Sequence, residues 1–106
     1  MYATIRHYRM GAGSMDDAMH LVDTDLADRF AEEPGFVAYE CMQVGENEIV
    51  SVTTFQDMDS CERSNEIAAE FVREELSDYQ LERTSVWEGE VMVSRARQEV
   101  LEPTHH

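Results

Sequence analysis

Apolar residues in this 106-residue chain recur at every second position, then at helical spacing, then twice more at every second position across a short link. Helical spacing returns, and a last alternating run closes the pattern. Tyr2 to Arg9 is the first extended run, rich in aromatic and β-branched residues. Gly11-Ala12-Gly13 breaks it. Ser14 is placed to cap a helix, with Asp17 three residues on and Asp16 in the first turn. Met15, Met19, Val22, Leu26 and Phe30 form the stripe of that helix, widened by Ala18 and Ala27, while Asp23, Asp25 and Asp28 take the other side. Pro34-Gly35 ends it.

Phe36 to Val44 and Ile49 to Gln56 are the next two extended runs, and the tight link Gly45-Glu46-Asn47-Glu48 makes them a hairpin. Asp59 or Ser60 is expected to cap the second helix, with Glu62 closing a capping box in the first case. Its stripe is Cys61, Asn65, Ala68, Val72 and Leu76, flanked by Ala69 and Phe71. The last extended run is Glu82 to Val93, where Gly89 predicts a bulge or bend. The β-α-β-β-α-β order predicts an α+β, ferredoxin-like domain over 1–95, with a four-stranded antiparallel sheet and two helices on one face. Residues 96–106 are expected to be a weakly structured tail, and His105 and His106 are given no role.

With both helices on one side, the other sheet face is bare. Apolar residues occupy both strand parities: Ala3, Ile5, Val37, Tyr39, Val50 and Val52 on one, Tyr2, Tyr8, Phe36, Met42, Ile49 and Phe55 on the other. An uncovered face of that kind is an association surface, so a homodimer closing sheet on sheet is expected.

Charge says more about the solvent than the chemistry. Lysine is absent, and eight arginines face 23 carboxylates for a formal net charge of −15. Such a surface repels itself in dilute buffer and is screened at molar salt, where the Debye length falls to ~3 Å. The expectation is a cytoplasmic protein of a salt-accumulating halophile. At 42% hydrophobic residues the chain can still form a core, so the acid does not imply disorder. A surface this acidic repels nucleic acid. No apolar run approaches the ~20 residues that cross a bilayer, and the first ten residues lack a signal-peptide core. Cys41 and Cys61 form no metal or redox spacing and are expected as reduced thiols.

Three stretches carry a resemblance: Met-Tyr-Ala-Thr-Ile-Arg (1–6), Pro34-Gly35-Phe36-Val37-Ala38-Tyr39, and Val52-Thr53-Thr54-Phe55 leading to the helix Asn65-Glu66-Ile67-Ala68-Ala69-Glu70-Phe71-Val72-Arg73-Glu74. Together they resemble a stand-alone antibiotic-biosynthesis-monooxygenase-like (ABM) domain of the dimeric α/β-barrel superfamily, over about residues 1–95. The chain is most similar to small members without an assigned activity. The resemblance implies the fold and the dimer; its characterised relatives include cofactor-independent quinol monooxygenases and haem-degrading enzymes. The haem-degrading branch holds iron with a histidine on the second helix, near a tryptophan. Residues 59–79 contain neither, so haem is not expected.

A quinol oxygenase needs a dry slot, a base or acceptor, and donors for a developing oxyanion. The slot is expected between sheet and helices. His7 is the first catalytic candidate, since imidazole moves protons near neutral pH and its parity is shared with Ala3 and Ile5. The competing reading is a satisfied boundary histidine. Asn65 is the second, because an amide interrupts an apolar helix stripe and needs a partner if buried. The resemblance implies a substrate-orienting asparagine there, and a structural side-chain bond is the alternative. Tyr39 and Trp87 are candidates for stacking an aromatic substrate, against core or dimer-interface roles. Arg6 lies on the opposite parity to His7, so it is expected between apposed sheets, paired with Glu40 or Glu88. There is no Gly-rich phosphate loop, GxSxG, HExxH or CxxC, so no cofactor or metal is expected. Two functions follow: a cofactor-independent monooxygenase acting on a small aromatic or quinol-type metabolite, or a non-catalytic dimeric module that binds a small ligand or serves as an accessory.

Overall fold

The computed structural model describes residues 1–97. The elements run β1 (Tyr2–Met10), α1 (Met15–Leu21), a π-helical turn (Val22–Leu26), α2 (Ala27–Glu32), β2 (Phe36–Gly45), β3 (Glu48–Phe55), α3 (Met58–Glu75), a 3-10 turn (Ser77–Tyr79) and β4 (Leu81–Glu90). The sheet order is β2-β3-β1-β4 with every neighbouring pair antiparallel, the ferredoxin-like arrangement that the order of elements predicts. The last expected run is trimmed to β4, and most of the expected tail, with His105 and His106, lies outside the described residues. Among the described residues no helix is long and apolar enough to cross a membrane.

Residues 15–32 form one helical segment with a π turn in its middle, and the spacing of the stripe accounts for it. Ala18, Val22, Leu26 and Phe30 are all buried and all four residues apart. In a straight α-helix each four-residue step drifts by about 40° around the axis. The wider π turn holds the four side chains on one face. The Ser14 hydroxyl caps this segment by accepting from the Asp17 backbone N–H at 3.3 Å.

The cap of α3 sits earlier than the sequence suggests. Asp57, not Asp59 or Ser60, takes the extended N-cap conformation, and its carboxylate accepts from the Ser60 N–H at 2.7 Å and the Ser60 hydroxyl at 3.0 Å. The Ser60 Oγ also lies 2.7 Å from the Pro34 carbonyl, so its one proton is shared between that oxygen and Asp57, which ties this helix start to the end of the first helical segment. The irregularity in β4 is also displaced. His7 pairs with Ser85 and Tyr8 with Arg83, so Thr84 is the extra residue, while Gly89 pairs regularly with Ala3.

Alternation along β1 and β3 sorts the two sheet faces. Thr4, Arg6, Tyr8 and Met10 are buried toward the helices, as are Ile49, Ser51, Thr53 and Phe55. Ala3, Ile5, His7 and Arg9 point to the open side, opposite Thr54, Val52, Val50 and Glu48. On β2 the register shifts between Phe36 and Ala38, so Phe36 and Tyr39 both pair with inward residues, Phe55 and Thr53. The core joins Val22, Leu26, Phe30, Phe55, Cys61, Ala68, Phe71 and Leu76. Burying each of its three phenylalanines contributes roughly 1.5–3 kcal/mol.

Candidate functional site

Arg6 is the residue that the sequence placed on the wrong face. It points between sheet and helices and is 1% exposed. The expected pairing with Glu40 or Glu88 across apposed sheets is not made. Its terminal nitrogens donate to Thr53 Oγ1 at 2.7 Å, Ser64 Oγ at 3.0 Å and Asn65 Oδ1 at 2.6 Å. Its Nε is buried without a partner. Among the described residues no carboxylate forms a salt bridge with it. Phe30 lies 6.0 Å below the guanidinium carbon and Tyr39 packs on Phe30 at 4.9 Å between ring centroids.

A hollow of about 20 Å³ lies beside Arg6, walled by Tyr8, Tyr39, Cys41 and Ser51 from the sheet and by Val22, Leu26, Phe30, Ala68, Val72 and Leu76 from the helices. That is room for about one water-sized group. An open cleft of about 250 Å³ adjoins it, lined by Tyr8, Ala69, Val72, Leu81 and Arg83. Tyr8, Val72 and Leu81 line both, so the hollow and the cleft between α3 and β4 lie back to back at these three side chains. Among the described residues no carboxylate lines either, in a chain that carries 23 acidic residues.

The titratable groups of the slot are proton donors. Burial raises the Tyr8 phenol, with the Arg6 and Arg83 guanidinium groups pulling the other way. Burial raises the Tyr39 phenol well beyond the usual tyrosine range, and Cys41 beside it adds to the shift. The Cys41 thiol is raised by burial and partly restored by its hydrogen bond with Tyr39. Burial lowers Arg6, which stays a cation regardless. At neutral pH the slot therefore offers a cation, two phenol O–H groups and a thiol, and no base.

The four candidate residues are not brought together. Tyr39 lines the hollow. Asn65 lines neither cavity; its oxygen is already held by Arg6. His7 faces away from the slot on the open side, with Nε2 4.0 Å from Glu48 and without a hydrogen-bond partner. Trp87 lies on the same open side, paired with Ile5 and 60% exposed. Sequence reasoning missed Arg6, Tyr8, Cys41 and Arg83. A signal was available, since Arg6 shares its parity with Tyr2 and Tyr8, both assigned to an apolar face. Among the described residues no group of His, Cys, Asp and Glu is arranged to hold a metal.

No family model matches the chain, and no curated protein does. Solved structures do. A dimeric ferredoxin-like protein from an uncultured marine organism superposes with a TM-score of 0.69 at 16% identity, over 91% of this chain and 98% of its own. An antibiotic biosynthesis monooxygenase gives 0.66 at 16% identity, over 88% and 100%. SnoaB, a cofactor-independent oxygenase from Streptomyces nogalater solved as an asparagine-to-alanine mutant, gives 0.60 at 17% identity, over 88% and 95%. Other matches include a protein of unknown function from Nitrosomonas europaea. These likenesses establish the fold of ABM-like and dimeric ferredoxin-like proteins for this chain.

Proposed function

We propose that this chain binds a small aromatic or quinol-type metabolite in the cleft between α3 and β4 and oxidises it with dioxygen, without metal, flavin or haem. The observation that carries this reading is the slot itself, where a guanidinium and proton donors converge on an apolar cleft that no carboxylate lines among the described residues. A phenol held against Arg6 ionises more readily, because the cation favours its anion. No protein base is then needed, and the Tyr8 hydroxyl adds a donor to the developing oxyanion. The electron-rich ring carbon reacts with dioxygen. One oxygen atom enters the ligand as a carbonyl, giving a quinone, and the other leaves as water with the hydrogen of that ring carbon and the proton of the phenol hydroxyl. Tyr39 forms the inner wall. Asn65 serves as a positioning residue that holds Arg6, and His7 and Trp87 belong to the dimer face. The test is oxygen uptake with a panel of hydroquinones and electron-rich phenols. Uptake at the buffer rate for all of them removes the catalytic assignment.

A second reading has its own observation. The inner hollow is small, and the Asn65 oxygen is already satisfied. Both fit a non-catalytic dimeric module that binds a ligand in the outer cleft alone.

In either case the chain works as a homodimer closed sheet on sheet, in the cytoplasm of a salt-accumulating organism. Exposed Ile5, Met42 and Trp87 on the open face, together with the dimeric neighbour, support the first statement. The excess of acid over base supports the second.

A further inference from the structure

A buried guanidinium without a counter-ion among the described residues is an unusual feature in a chain with 23 acidic residues against eight basic ones. Burying a charge is costly unless it is paired, and arginine cannot shed its proton to escape the cost. Arg6 is held by three neutral oxygens, those of Thr53, Ser64 and Asn65. Supply of acid cannot explain the missing carboxylate. The guanidinium lines the hollow, and its Nε has no partner. A second cation stands at the mouth: Arg83 lines the outer cleft beside Tyr8 and makes no salt bridge among the described residues. Two positive charges thus converge on one cleft in a strongly acidic molecule.

We propose that the ligand of this cleft is a small aromatic acid, bound as its anion with an acid oxygen on Arg6 and its ring against Val72 and Leu81. The proposal rests on the reading of the cleft as a ligand chamber and adds the chemical class that it selects. The sizes agree: the hollow takes one oxygen-sized group, and the outer cleft, near the lower end of ligand pockets, takes a ring. The oxygen would supply the charge and the acceptor that Arg6 lacks. Hydrogen bonds from Tyr8 and Arg83 would close around it on the way in.

Calorimetric titration of the full chain in molar potassium chloride tests this with paired ligands: benzoate against benzamide, and 4-nitrophenolate against nitrobenzene. The expected result is binding of the ionised member on the order of tenfold tighter or more than its neutral partner. Affinity for 4-nitrophenol should also rise as pH passes the ligand's own ionisation, a readout that needs no variant. Arg6→Met should abolish the preference, and Arg83→Gln, at an exposed position, should reduce it if the first variant does not fold. Preference in the benzoate pair alone assigns a carboxylate, and in the nitrophenolate pair alone a phenolate. Equal binding of charged and neutral partners overturns the acid specificity and leaves the chamber standing. No binding by any of the four overturns both.

Discussion

Asn65 Oδ1 accepts a hydrogen bond from a terminal nitrogen of Arg6 at 2.6 Å, so the amide in the stripe of α3 holds a buried cation from β1. Ser64 and Thr53 complete the clamp, at 3.0 and 2.7 Å. The amide predicted to orient a substrate therefore has its oxygen engaged by Arg6.

Replacing Asn65 separates the positioning role from direct contact. Asn65→Ala leaves one guanidinium N–H without its acceptor and should cost roughly 1–3 kcal/mol in thermal or urea unfolding. Asn65→Asp gives Arg6 the carboxylate that it lacks. It should retain the fold and lose affinity for aromatic anions, because the cation is already neutralised. Unchanged benzoate binding in Asn65→Asp would show that the anion does not reach Arg6.

Phe30 is fully buried beneath Arg6 and lines the hollow. Phe30→Ala should destabilise by about 3–5 kcal/mol in equilibrium unfolding. The same substitution enlarges the chamber, so a bulkier acid such as naphthoate should gain affinity relative to benzoate. Loss of stability without that change in ligand preference would mean that the ring only fills the core.

How far the sequence reveals this molecule depends on which residues are asked. Periodicity locates all four strands and both helical segments, because apolar spacing reports directly on which side of an element is buried. The Pro34-Gly35 stop is legible for a related reason: Gly35 sits at φ 84°, a region open to glycine. Two local features were not legible. The extra residue at Val37 puts Tyr39 on the helix face, and the one at Thr84 moves the bulge away from Gly89. A one-residue slip exchanges faces and leaves no mark in composition. Arg6 failed for a different reason. Charged residues are presumed to face water, and only the tertiary clamp of Thr53, Ser64 and Asn65 makes burial tolerable. His7 shares a partly apolar parity with Ala3 and Ile5, but that parity is the open face and not the slot.

Asp57 gives a pH-dependent prediction. Hydrogen bonds from the Ser60 backbone N–H and hydroxyl hold its carboxyl below the usual carboxylate value. A depressed folded-state value means that the contribution is present above the unfolded-state value and lost as pH falls through the folded one. Asp57→Asn can still accept the capping bonds but cannot titrate. Its melting temperature should be close to that of the parent in mild acid, lower at neutral pH, and flatter between the two. Identical acid limbs in parent and variant would remove the cap from the pH dependence.

The open face predicts the behaviour of the assembly. Trp87 is 60% exposed and stands opposite Ile5, itself 37% exposed. Ile5→Glu sets a charge among these side chains without touching the helix face. Sedimentation should show the parent as a dimer and the variant as a folded monomer, with the far-ultraviolet circular dichroism unchanged. A dimeric variant would move the interface off this face.

Salt dependence is the broadest consequence of the composition. A net charge of −15 spread over one small domain stores repulsion that compact folding and pairing both increase. Ion pairs relieve little of it: Arg29 with Asp25, Arg63 with Glu33 and Arg9 with Glu48 are all on the surface, where such pairs contribute little. Screening must do the rest. The Debye length is about 10 Å at 0.1 M salt and about 3 Å at 1 M, so neighbouring carboxylates act on each other in the first case and barely in the second. Dimerisation doubles the charge in one particle and should fail first. Sedimentation and melting across a potassium chloride series should therefore show dissociation, then unfolding, as salt falls below about 0.5 M. The aromatic-anion preference should survive at high salt, since salt screens a buried charge far less than an exposed one. An intact, stable dimer in dilute buffer would contradict the halophilic reading and leave the excess acid without a physical account.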